Sequence, residues 1–448
     1  MPSTAIDSIV LGDLFSTPAM REVFSDANRL RCYLEVEAAL ARVEARLGII
    51  PAEAAAEIAR HAIVAEMDFD RLRQRTLELG STVMPVVEQL RARCAGGHGQ
   101  YCHWGATTQD VTDSAAVLQI RSALVLVESD LRAIGDTLSD LARRYRDTPM
   151  AGRTKLQHAT PITFGFKMAE ALDAVRRHLA RLEELRPRVL VGQFGGAAGT
   201  LAALGSDGLE VRAGLMRELG LREPEITWHS HRDRFAEVAC FLGLVTGTLG
   251  KIATDIKLLM QTEVGEVFEP FESGRGSSST MPQKRNPVAC NYILACTAMV
   301  RQQAAAMLEA MVEDHERGTG PWEIEWVALP EIFLLSSGAM AHSRTMLARL
   351  RVDAAKMREN LDLTNGLILA EGVAMALAPM IGRGRAHELI AELCEAALER
   401  KRPLFELLAE NREITAHLDR AALERLCDPA GYLGAATLMV DRVLSHRK

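Results

Sequence analysis

The chain has 448 residues, a formal net charge of -7, 48% hydrophobic but only 5% aromatic residues, and eight cysteines. That length exceeds what one simple core holds, the Ala- and Leu-rich composition suits packed helices rather than sheets, and interspersed charge without a basic block argues against nucleic acid as a partner. The cysteines, at 32, 94, 102, 240, 290, 296, 394 and 427, form no C-x-x-C pair; no signal peptide or bilayer-spanning apolar run is read, so reduced thiols in a soluble cytoplasmic protein are expected.

In chain order, Leu30, Leu34, Val36, Ala39, Leu40 and Val43 make an apolar stripe that predicts a helix over Asn28 to Leu47, and Pro51 opens the next one. The turn-rich Ala95-Gly96-Gly97-His98-Gly99 leads into a polar cluster, His103-Trp104-Gly105-Ala106-Thr107-Thr108-Gln109-Asp110. From Thr112 to about Tyr145 apolar residues recur at helical spacing with no proline, a length that points to a bundle spine. A second polar cluster, Gly152 to Ala159, ends in Thr160-Pro161, read as the cap of a helix running to about Leu185. Trp228-His229-Ser230-His231-Arg232-Asp233 precedes a helix from Arg234 to about Met260. Further helices are expected at Val288 to Val312 and Ile324 to Leu350, then shorter ones from Asp353 with a break at Gly382-Arg383-Gly384. The expected fold is therefore all-α in three parts: an N-terminal helical domain (1–111), a central long-helix bundle (112–352) and a C-terminal helical domain (353–448).

Between two of these helices lies Gly274 to Pro287, G-R-G-S-S-S-T-M-P-Q-K-R-N-P. Asn286-Pro287 reads as a helix opening, and small hydroxyls beside a lysine at the positive end of a helix can hold an anion or stabilise a serine that has lost its proton. Three separated polar loops thus each feed a long helix, and removing a proton beside a carboxylate needs such an array: donors and a cation for the charge that builds up, and a base. No cluster has metal-ligand spacing, so no metal and no cofactor are expected.

Ser278-Ser279-Thr280-Met281-Pro282-Gln283-Lys284-Arg285-Asn286-Pro287 resembles the S-S-x-M-P-x-K-x-N-P signature of the fumarase/aspartase superfamily. His103 to Asp110 is similar to that family's first motif, H-x-G-x-T-S-x-D, with Thr108 in the serine position. Gly152 to Pro161 is similar to its second, G-R-T-x-x-Q-x-A-x-P, and Arg358 to Gly366 also looks family-like. The resemblance implies an all-α homotetramer whose sites each gather three segments from different subunits around a small polycarboxylate. It implies Ser278 as the base and Lys284 as the cation. It further implies substrate contacts from His103, Thr107, Thr108, Gln109, Arg153, Thr154, Lys155, Gln157, Ser279, Met281 and Asn286. His158 reads equally as a catalytic group or a structural hydrogen-bonder.

Two departures choose a branch. Most lyases of the superfamily have histidine after G-R-T and glutamate seven residues after the signature lysine, together a proton-donating relay. Here those positions hold Lys155 and Asn291. The branch lacking both acts on 3-carboxy-cis,cis-muconate, and its leaving group in the reverse direction is a carboxylate, which departs without a proton. Trp228 to Arg234 resembles the W-H-T-Q-R-D-R of that branch, implying a substrate contact for Arg232, and His315-Glu316-Arg317 with Trp322, Glu325 and Trp326 resembles its H-E-R-x-x-G-x-W-x-x-E-W. Bacterial members of that branch often carry Trp where this chain has Lys155, so an additional or differently placed anionic group on the substrate is expected. The rivals are a carbon-nitrogen lyase that releases fumarate and a non-catalytic homologue.

Overall fold

The computed structural model describes residues 4–271, 280–281 and 283–445; Ser278 and Ser279 lie outside them. Helix dominates. The first long element, α1 (Asp26–Arg46), is capped by the Ser25 side chain, which accepts from Asn28 N at 3.1 Å, and buries the apolar stripe read from the sequence. Five longer or comparable helices follow: α2 (Thr108–Arg144), α3 (Phe164–Val189), α4 (Asp233–Leu259), α5 (Val288–Glu309) and α6 (Pro321–Ala348). α4 and α6 are long and apolar enough to cross a membrane by length and composition, which the sequence reading did not anticipate. In each, 61% of the apolar window is buried within the protein, as core helices require.

The chain groups into two compact units, one of Met1–Leu131, His178–Gly250 and Tyr292–His342, the other of Arg132–Arg177, Lys251–Asn291 and Ser343–Lys448. Each long helix from α2 to α6 contributes residues to both. Within the second unit the C-terminal helices bury their own cluster, built from Val373, Leu377, Leu389, Leu404, Leu408, Ile414 and Leu423 among others. The expected break there falls at Gly382 alone, at φ +84, between helices Ala370–Ile381 and Arg383–Arg400. All eight cysteines are free thiols.

The second polar cluster is not a loop with a cap. It is an antiparallel hairpin of β1 (Pro149–Thr154) and β2 (Gln157–Thr163) with Pro149 facing Thr163 and Thr154 facing Gln157. Lys155 and Leu156 form its two-residue turn, both at positive φ (50° and 65°), the twist that suits a tight hairpin. The register shifts between Ala151 and Arg153, and at Gly152 a Cβ would lie 2.5 Å from the carbonyl oxygen of Thr160, so only glycine fits the bulge. Pro161 is tolerated because a two-stranded ribbon has only edges. Thr163, not Thr160, caps α3, its hydroxyl accepting from Phe166 N at 3.0 Å.

A tight crossing tests the packing of the first unit. At Gly338 on α6 an added Cβ would sit 2.2 Å from the backbone oxygen of Phe15. Gly338→Ala is therefore expected to cost about 1–3 kcal/mol or more, seen as a lower melting temperature. Gly384→Ala, where a Cβ meets open space on a helix, should be neutral or stabilising by at most about 1 kcal/mol.

Candidate functional site

Each unit carries one cluster of the predicted residues. In the first, Thr107 precedes α2 and Asp110 sits in its first turn, where its Oδ2 accepts from Thr107 N at 3.0 Å, half of a capping box. That fully buried carboxylate does more. It also accepts from Gly195 N at 2.8 Å and Gly196 N at 2.9 Å, and lies 2.8 Å from Nε2 of His229. An ionised carboxylate only accepts, so His229 Nε2 carries the hydrogen. Gln109, 0% exposed, gives its amide to the carbonyl oxygen of His229 at 2.8 Å. The Gly192 to Gly205 excursion is thereby fixed to α2 and to the Trp228–Asp233 segment. At Gly195 a Cβ would meet Thr227 Cγ2 at 2.3 Å and the His229 ring at 3.0 Å, which is why the approach needs glycine.

Two further groups converge here. Arg317 donates to Thr107 Oγ1 at 3.0 Å and to the carbonyl of Ala197 at 2.9 Å. His103, held at φ +62, places Nδ1 2.6 Å from Glu37 of α1. Burial of His103 opposes its charge, but the charge and hydrogen bond of Glu37, with Asp110, outweigh it and raise its pKa above the usual histidine value. The Nε2 atom of His103 is buried without a hydrogen-bond partner among the described residues.

Arg232, expected to meet substrate, is enclosed instead. It is 1% exposed and bonds on one edge to Asp113, at 2.8 and 2.9 Å, and on the other to Glu325. The physical reason is electrostatic: a buried guanidinium must be matched by acids, and once matched it has no free face to offer.

In the second unit, Arg153 on β1 forms a two-pronged pair with Glu266, which is 0% exposed and also accepts from the Asn360 amide at 2.8 Å. His158 faces Arg153 across the hairpin. Burial, then the charge of Arg153, lower its pKa below the ordinary value despite Glu266, so at neutral pH its ring is neutral, with Nδ1 buried and without a hydrogen-bond partner among the described residues. Thr154, Lys155 and Gln157 lie exposed at and beside the hairpin tip.

The start of α5 differs from the sequence expectation. The carbonyl of Pro287 accepts the first helical bond, from Asn291 N at 3.0 Å, and the N–H groups of Ala289 and Cys290 are given to the carboxylate of Glu269 at 2.9 and 2.8 Å. The anion attracted by this helix end is thus one the chain supplies itself. Lys284 and Met281 are exposed, Asn286 is half-buried, Lys284 N bonds to the carbonyl of Met281 at 3.1 Å, and Arg285 lies over the Phe271 ring at 4.5 Å. Sequence reasoning missed Glu37, Glu266, Glu269 and the hub role of Asp110. An acid-rich stretch, Glu263 to Glu269, was visible ahead of the serine loop, but not which of its carboxylates turn inward. Among the described residues no group of histidines, cysteines and acids is placed to hold a metal ion.

Residues 15–301 match the family described as Lyase, and residues 366–443 match Adenylosuccinate lyase C-terminus. The chain is 54% identical to "Trans-aconitate decarboxylase 1" of Mycosarcoma maydis, over 100% of this chain and 90% of that protein. It is 49% identical to a 3-carboxy-cis,cis-muconate cycloisomerase of Pseudomonas aeruginosa, over 96% and 95%. The crystal structure of the 3-carboxy-cis,cis-muconate lactonizing enzyme from Pseudomonas putida superposes with a TM-score of 0.93 at 47% identity, covering 97% of this chain and 98% of that one. With motifs, helical architecture and whole-chain similarity in agreement, the chain belongs to the fumarase/aspartase superfamily of lyases and is an enzyme of that superfamily.

Proposed function

We propose that this enzyme closes an unsaturated tricarboxylate, of the 3-carboxy-cis,cis-muconate type, into a lactone, as part of aromatic-compound breakdown through the protocatechuate branch. The observation that carries the reading is the pair Lys155 and Asn291 in place of a proton-donating relay. A carboxylate oxygen of the substrate attacks the double bond, and the displaced electron pair moves onto the carboxylate beside it. Lys284, with the donors of the polar loops, holds that enediolate, and Ser278 delivers a proton to the neighbouring carbon. Run backwards, Ser278 takes the proton and the carboxylate departs unprotonated. Both electrons move within the substrate, so the reaction is written without a cofactor. The enzyme works as a cytoplasmic homotetramer, each site shared between subunits.

A second reading has its own support in the 54% identity to a trans-aconitate decarboxylase. Breaking the bond to a departing carbon dioxide sends its electron pair through the double bond onto the neighbouring carboxylate. The same enediolate forms, and the same carbon is protonated. Carbon dioxide also leaves without an acid. An amine leaving group would need one, and neither an exposed lysine on a hairpin tip nor an asparagine amide replaces the histidine-glutamate pair.

Purified enzyme offered three substrates separates these readings. Loss of the muconate's absorbance is the expected result; carbon dioxide from trans-aconitate would favour the second reading, and fumarate from a substituted aspartate would overturn both. Ser278→Ala should lower kcat by about 10²–10⁴-fold with the assembly intact. Lys155→Met, at an exposed tip, should leave the fold unchanged yet lower kcat/KM for a tricarboxylate by about 10- to 100-fold, with a smaller effect on a dicarboxylate analogue.

A further inference from the structure

The buried charges around Arg232 do not balance. A guanidinium has five N–H bonds. Arg232 commits every one: to Asp113 and Glu325 on its two edges, and to the carbonyl oxygen of His229. A third carboxyl, that of Glu313, lies 3.9 Å from Nε with its side chain unexposed, and neither of its oxygens has a hydrogen-bond partner among the described residues. Ionised, it would face two like charges and a cation with no donor left, in a medium where each repulsion is strong.

Glu313 is also the root of a segment that reaches the candidate site. Between the end of α5 at Glu309 and the start of α6 at Pro321, Asp314 accepts from Thr319 N at 3.0 Å and His315 adopts φ +43. Arg317 extends from this turn to Thr107 and Ala197. Gly318 lies over the Glu313 carboxyl, since a Cβ there would be 3.0 Å from its carboxyl carbon.

We propose that Glu313 is a positioning residue, held as the neutral acid against the saturated Arg232 pair, and that its ionisation expels the carboxyl and withdraws Arg317 from Thr107. The consequence for turnover rests on Thr107 being a substrate contact in the reading above. The groups facing the carboxyl are Arg232 just ahead of α4, Glu325 from α6 and Asp113 from α2, with Asp314, His315, Glu316 and Arg317 on its own segment. Burial, opposed by Arg232, reinforced by Glu325 and Asp113 and opposed more weakly by the Gly318 N–H, lifts its pKa to about 7. A raised carboxyl pKa favours the neutral folded form. Its stabilising effect is full below the ordinary carboxylate range and lost as pH rises through about 7.

Amide hydrogen exchange over residues 313–320 of the full-length protein, corrected for intrinsic rates, reads the contact without substrate. At about pH 6 the segment should be protected and at about pH 8.5 open. Glu313→Gln, neutral throughout, should stay protected at both values, and Arg317→Gln should be open at both. Equal protection of the unaltered protein at the two values, loss in Glu313→Gln like that of the parent, or protection in Arg317→Gln at the lower value would each overturn the proposal. In turnover, the alkaline limb of the parent should move upward by at least about one unit in Glu313→Gln, a shift that a merely structural role would not produce. If no tricarboxylate is consumed, the functional reading fails while the exchange experiment still decides this one.

Discussion

One buried carboxylate sets the geometry of the first cluster. Asp110 satisfies two glycine N–H groups, the N–H of Thr107 and the ring of His229, drawing together the start of a long helix, a glycine-rich excursion and the segment before α4. A neutral amide could not replace it, because its NH2 would point at donors. In so buried a site each orphaned group would cost on the order of 1–3 kcal/mol. The position of Thr107, and through Arg317 that of the turn after α5, follows from this constraint.

How far the sequence spoke depended on the range of the interaction. α1, α2 and α4 emerged within a few residues of their ends because apolar spacing and caps are local signals. The hairpin at Pro149–Thr163 was hidden because its turn residues, Lys155 and Leu156, take positive φ without the glycine or asparagine that usually announces it. The motif around Arg232 points to substrate, while the acids that enclose it lie 119 and 93 residues away and nothing along the chain shows that they converge. Glu269 was missed for the same reason, twenty residues from the helix end it caps.

Acids inside the protein thus decide which cations remain for a substrate. Arg232 and Arg153, both singled out by motif, are matched by carboxylates that are themselves buried. Arg153 is balanced by Glu266 and Arg232 is outweighed by two acids, so neither presents an unmatched positive charge to an anion. Lys155 on the hairpin tip and Lys284 ahead of α5 are exposed. In the function proposed above, these lysines, rather than a buried arginine, are the cations left to meet a substrate with several negative groups.

The same division bears on the chemistry. Where the leaving group is a carboxylate or carbon dioxide, the catalytic demand falls wholly on the enediolate and on the proton given to carbon. In the proposed reading Lys284 and Ser278 answer that demand. On that reading His158 is not the acid, since burial and then the neighbouring Arg153 guanidinium disfavour its charged form. Replacing the relay histidine by lysine removes the proton-donating relay and puts a cationic side-chain type on the exposed hairpin tip. In the proposed function the trade suits an enzyme whose substrate carries an extra carboxylate more than one whose product is an amine.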